Sequence, residues 1–222
     1  MKRLLVCLAL VAGCATPPRV PPSQPSPHDE AWYASAQDVY TIDRGQTLIT
    51  VVVHKSGSLA PLGHDHVVAS HHVSGYASLS GKRADFHFRL DQLTVDEPDL
   101  RKKAGFDIQP SPEAVEGTRT NMLTRVLDAE HFPEVLLHVE QAGATMRLSV
   151  TLHGVTRTMD VPTTLNVNGD KLTASGKLAL RQTDFGVVPM SVLGGAIAVQ
   201  DQLDLEFSIS ARRSGAGPAP QK

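Results

Sequence analysis

Residues 147–162 read RLSVTLHGVTRTMDVP. Leu148, Val150 and Leu152 alternate with Ser149, Thr151 and His153, and a period of two with one apolar face marks a half-buried β-strand. His153 and Gly154 break the alternation. Residues 155–161 then open a second extended run whose Thr156, Thr158 and Val161 suit a pleated surface. Gly154 permits the positive φ that a tight reversal needs, so the two runs form a hairpin. Any antiparallel β-protein contains such a unit, so this pattern sets the class before it sets the fold.

Working outward, residues 39–43 and 48–54 read as an opening strand pair divided at Arg44 and Gly45, and residues 56–63 as a Gly/Ser/Pro loop. Across 66–79 the odd positions Val67, Ala69, His71, Val73 and Ala77 are mostly apolar, and the even ones are polar apart from Val68. Phe86, Phe88 and Leu90 alternate sharply with Asp85, His87 and Arg89. Residues 91–109 break the pattern, mixing charges with Pro98 and Gly105 in a long excursion. Ser111 and Pro112 then suit a helix N-cap and first helical position. Val115, Met122, Val126 and Leu127 give the following helix an apolar face over about four turns. A strand over 135–139 follows, and Asn168-Gly169-Asp170 is a strong turn signal. Leu172, Ala174, Leu178 and Leu180 mark the next strand. Leu203, Leu205, Phe207, Ile209 and Ala211 close the chain with the cleanest alternation of all. Close-spaced turns and one inserted α-helix predict a mainly β protein, an antiparallel barrel of about eight strands.

Three short motifs narrow this further. Residues 151–157 (TLHGVTR), the His131-Phe132-Pro133-Glu134 step from helix into strand, and RQTDFG at 181–186 resemble, in order, elements of the YceI-like family of bacterial exported lipid-binding proteins. The third carries one extra residue between Arg181 and Asp184 relative to the family's R-x-D-F-G element. The resemblance extends over 39–211. It implies a lipocalin-like β-barrel that encloses a long isoprenoid or fatty-acyl chain, with no cofactor and no covalent chemistry.

The ends of the chain lie outside that domain. Lys2 and Arg3 precede an apolar run at 4–11 that is too short to span a bilayer, as in a secretory signal peptide. Val11-Ala12-Gly13-Cys14 resembles a bacterial lipobox, with Cys14 as the acylated residue. Six prolines between Pro17 and Pro27 predict an extended, semi-rigid tether. The expected organisation is therefore a signal peptide at 1–13, a lipidated cysteine and tether at 14–37, a barrel domain at 38–211, and a disordered tail at 212–222. Such a chain would sit in the bacterial cell envelope, held to the membrane by its acyl anchor. Ala15 after Cys14 resembles the sorting signal for the periplasmic face of the outer membrane. A homodimer through an exposed edge strand stays open.

Several chemistries are excluded or weakened. The only cysteines are Cys7 and Cys14, so the folded part has no thiol for catalysis or metal binding. A net charge of −2 without a basic stripe argues against nucleic acid. The sequence contains no Gly-x-Ser-x-Gly elbow, phosphate loop or dinucleotide fingerprint, so an enzyme is not expected. Asp96 and Glu97 lie in the charged excursion and read as solvated. The inward faces would carry Phe86, Phe88, Leu148, Val150, Leu152, Leu205 and Phe207. Periodicity alone leaves open whether these pack together, in a filled barrel acting as a protein-interaction module, or line a cavity; the resemblance implies the cavity. Phe132, Phe185 and Met190 are candidates for its mouth. His64 and His66, two residues apart, offer an alternative metal site with His71, His72 or His131. An unbroken register would put His64, His66 and His72 on the polar face, away from the cavity.

Overall fold

The computed structural model describes residues 30–143 and 145–215. The signal peptide, the lipobox cysteine Cys14 and most of the Pro-rich tether lie outside the described residues.

The described chain runs from α1 (Glu30–Ser35) into β1 (Val39–Ile42), β2 (Leu48–Ser56), β3 (His66–Ser70), β4 (Ser74–Ser78), β5 (Arg83–Arg89) and the two-residue β6 (Thr94–Val95). Helices α2 (Pro98–Lys103) and α3 (Pro112–Asn121) follow, and α3 continues as a π-helical turn over Met122–Val126. Then come β7 (Glu134–Ala142), β8 (Thr145–Leu152), β9 (Val155–Val161), β10 (Thr163–Asn168), β11 (Lys171–Arg181), β12 (Ser191–Val192) and β13 (Ile197–Arg213).

The hairpin expected at 147–162 is β8 and β9, paired from Leu152↔Val155 to Met146↔Val161. Its turn takes positive φ at both central residues, 51° at His153 and 72° at Gly154, which matches the twist of the flanking strands. Ser111 caps α3 as expected, its hydroxyl accepting from the Ala114 N–H at 3.3 Å.

All strand pairs are antiparallel, and β13 is the hub. One of its edges holds β2 (Ser208↔Leu48 to Ala198↔Ser56) and then β1 (Ala211↔Ile42 to Arg213↔Tyr40). The other holds β11 and, at its start, β12. The opening strands are therefore not a pair with each other. Both line up along β13, while β2 pairs with β3 and β1 with β4. Counting β1–β2, β3–β4 and β9–β10 each as one bent strand, the described residues form a wall of eight strands, with β6 and β12 as short additions.

Among the described residues, the hydrogen-bonded sheet does not close into a ring. The continuous run through Pro162 gives β9 to β8 and β10 to β11, and no ladder joins β9 to β11. The 3-10 turn Gln182–Phe185 packs against β9 beside this break. The strand β13 also runs through Arg212 and Arg213, past the expected start of the tail, because Arg212 pairs across to Lys171 and Thr41.

Candidate functional site

Inward faces follow from the register, since directly paired residues in an antiparallel sheet share a face. Leu205 of β13 pairs with Val51 of β2 and with Leu178 of β11. Phe86 of β5 pairs with Leu137 of β7, which pairs with Val150 of β8. These rows do not meet in the middle. They enclose an apolar cavity of about 400 Å³, within the roughly 300–1,000 Å³ of small-molecule sites. The α3 side supplies Met122, Val126 and Leu127 to the same space. The helix read from Ser111 onward is thus part of the cavity wall.

Of the residues expected to face a ligand, Phe86, Phe88, Leu148, Val150, Leu152, Met190, Leu205 and Phe207 line this cavity. Phe132 and Phe185 do not. The ring of Phe132 packs on His153, centroids 4.5 Å apart. Phe185 is 1% exposed and belongs to the packed core at the 3-10 turn. An aromatic near a strand end carries no sequence mark that separates mouth from core.

The histidines fall differently from the expected register. His66 pairs with Val53, Val68 with Val51 and Ser70 with Ile49, and all six residues line the cavity. The even face of β3 is therefore the inner one. Val67, on the alternate face, is also buried, at 2% exposure, and α2 packs against β3. With both faces covered, the odd-position apolar residues did not mark the inside. His64 is exposed, with its ring 6.2 Å from that of His66. His71 Nε2 lies 2.8 Å from Glu97 Oε1, and His131 Nδ1 lies 2.8 Å from Asp128 Oδ1. Among the described residues, no cluster of three or more His, Cys, Asp or Glu side chains is placed to hold a metal ion.

The charged excursion is not all solvated. The Asp96 side chain is fully buried and Arg101 is 3% exposed. Arg101 Nη1 donates to Asp96 Oδ1 at 2.6 Å and to the Asp65 carbonyl at 2.6 Å, and Nη2 donates to the Ile108 carbonyl at 2.5 Å. Asp96 Oδ1 also accepts the Val67 N–H at 3.0 Å, and Oδ2 lies 2.6 Å from His66 Nδ1. Burial alone would raise the Asp96 carboxyl. Hydrogen bonds from His66, the Val67 N–H and Arg101 outweigh that and hold it below the ordinary carboxylate range. A charge run in sequence is usually a wet face, and only the packing of α2 on β3 makes this one a buried network.

Similarity to known proteins agrees with this geometry. A polyisoprenoid binding domain from Saccharophagus degradans, implicated in plant cell wall breakdown, superposes with a TM-score of 0.57 at 11% identity, covering 78% of this chain and 98% of that one. BcnA of Burkholderia cenocepacia superposes with a TM-score of 0.55 at 15% identity, covering 76% and 98%. At these identities the likeness is one of fold. Among curated proteins, none matches the sequence. The sequence profile of the YceI-like domain matches residues 40–211. That stretch contains nearly every strand and the whole cavity wall, and on it the chain belongs to the YceI-like family.

Proposed function

We propose that this protein binds one long apolar molecule, an isoprenoid or fatty-acyl chain, inside the barrel and sequesters or carries it with no covalent step. The single observation behind this is the cavity itself, about 400 Å³ lined by side chains from the strands and from the α3 segment. A packed barrel would have filled that space. Burying a ligand chain there at ~25 cal/mol per Å² of apolar surface yields useful affinity without a charged anchor. The S. degradans domain, a polyisoprenoid binder by description, has the same fold and supports the isoprenoid alternative.

We also propose that the chain works in the cell envelope, tethered through an acylated Cys14, on the periplasmic face of the outer membrane. An apolar ligand that must cross an aqueous gap between membranes needs a dry container on one side of it. Replacing Cys14 by Ser should leave the protein unacylated and release it from membranes; a variant still fully acylated and membrane-bound would overturn the anchor.

Native mass spectrometry of the protein purified without detergent or chelator tests the binding reading. An added mass that denaturation releases as a long alkyl or prenyl compound is expected. An added mass equal to a transition metal would overturn it in favour of the histidines.

A further inference from the structure

Among the polar side chains that line this cavity, His66 is the histidine, and a fully buried carboxylate holds it. Its side chain is 15% exposed, and its pairing with Val53 puts it on the inner face. Its Nδ1 is 2.6 Å from Asp96 Oδ2. The other carboxylate oxygen already receives the Val67 N–H and the Arg101 guanidinium. A carboxylate so engaged acts as an acceptor only, so the proton shared with His66 resides on Nδ1. With the Nδ1 proton directed at Asp96, the ring nitrogen left to face a ligand is Nε2, which has no hydrogen-bond partner among the described residues. Asp96 fixes the tautomer, Arg101 fixes Asp96, and α2 fixes Arg101, so the direction of that lone pair is set before any ligand arrives.

We propose that His66 Nε2 is the polar anchor of the binding site: it accepts a hydrogen bond from a hydroxyl at the end of the ligand, so the protein selects long-chain alcohols over equally apolar molecules that lack a donor. This rests on the cavity reading above and adds the ligand's chemical class and its direction, head at β3 and tail along the barrel. The cation in this network, Arg101, has Nη1 and Nη2 committed to Asp96 and to the Asp65 and Ile108 carbonyls, and Asp96 balances its charge. Specificity of this kind is strong because an unpaired buried polar group on either side is costly.

The test compares farnesol with farnesyl methyl ether, the same chain with the donor removed, by displacement of a fluorescent apolar dye from the full chain. The unaltered protein should bind farnesol about tenfold more tightly than the ether, the size expected for one buried hydrogen bond and its unpaired alternative. His66→Leu should erase the preference, so that farnesol and the ether bind with equal affinity. In the unaltered protein, farnesol but not the ether should move the His66 Nε2 nitrogen resonance, a readout that needs no variant. If both compounds bind equally, or if His66→Leu keeps the preference, the anchor is wrong and the apolar cavity stands. If neither compound displaces the dye, both readings fall.

Discussion

The Tyr33 hydroxyl donates to Asp85 Oδ2 across 2.7 Å, and this bond fastens α1 to the barrel. Asp85 alternates with the cavity-lining Phe86, so it lies on the outer face of β5. It also takes Nη2 of Arg83 at 2.7 Å and faces His138 Nδ1 at 2.5 Å. Tyr33 stacks on Tyr76 with centroids 5.4 Å apart, and the Arg83 guanidinium lies 4.7 Å from the Trp32 ring. Gly81 makes room, since a Cβ there would come within 2.2 Å of Trp32. Burial, then the Asp85 bond, pushes the Tyr33 hydroxyl well above the ordinary tyrosine value.

Tyr33→Phe keeps the ring stack and removes the bond. It should lower stability by about 1.5–3 kcal/mol, the worth of one hydrogen bond to a charged partner. Urea denaturation gives the answer: a lower midpoint at unchanged slope is expected, and an unmoved midpoint would show that the clamp contributes nothing.

Of the carboxyls held below their ordinary values, Asp85 and Asp96 are the buried ones and contribute most to the pH dependence. Burial raises Asp85, but hydrogen bonds from His138, Tyr33 and Arg83 overcome it, and like Asp96 it sits below its ordinary value. A depressed folded-state pKa contributes stability that is present above the unfolded value, about 3.9, and is lost as pH falls through the folded value. Urea midpoints should thus stay nearly level from about pH 7 to 5 and drop below about pH 4. Asp85→Asn should flatten that drop. An equally steep drop in the variant would assign the acid sensitivity elsewhere.

Gly176 is held between two neighbours: a Cβ there would lie 2.5 Å from the Pro162 carbonyl oxygen and 2.7 Å from Phe207 Cζ. Gly176→Ala should cost about 1–3 kcal/mol. Adding Phe207→Leu removes the ring contact and leaves the carbonyl one, so recovery should be partial. Calorimetric melting of the single and double variants decides it; a Gly176→Ala protein as stable as the parent would contradict this packing.

Val150 tests whether the barrel is hollow. In a filled core Val150→Phe would cost about 1–3 kcal/mol by overpacking. Beside a cavity of about 400 Å³ it should cost less and should weaken dye or farnesol binding. A badly destabilised variant would mean that the space is not available to a ligand.

Much of this was legible in local pattern. The hairpin at 147–162, the Ser111 cap and the alternation from Leu203 to Ala211 are all short-range signals, and short-range physics forms them. The partners of β1 and β2 were not legible, because Thr41 meets Arg212 across most of the chain and no local periodicity encodes that. The inner face of β3 was misread for a related reason: with Val67 buried opposite Val68, alternation loses its meaning. Asp96 and Arg101 hid within a run of charges, and their burial exists only once α2 lies on β3. Phe132 and Phe185 show the same limit on the apolar side.

The hub position of β13 bears on how the chain can fold. The strand that β1, β2, β11 and β12 all need is Ile197–Arg213, the final strand of the fold. The β5–β7–β8–β9 meander and the β10–β11 hairpin can form as the chain is made, but β1 and β2 must wait with exposed edges until β13 is available. Pairings that distant in sequence make folding slow and keep partly folded chains prone to aggregation. A chain shortened before Ile197 should therefore fail to fold rather than fold into a smaller barrel, and the residues of β13 are the ones that turn a set of hairpins into a container.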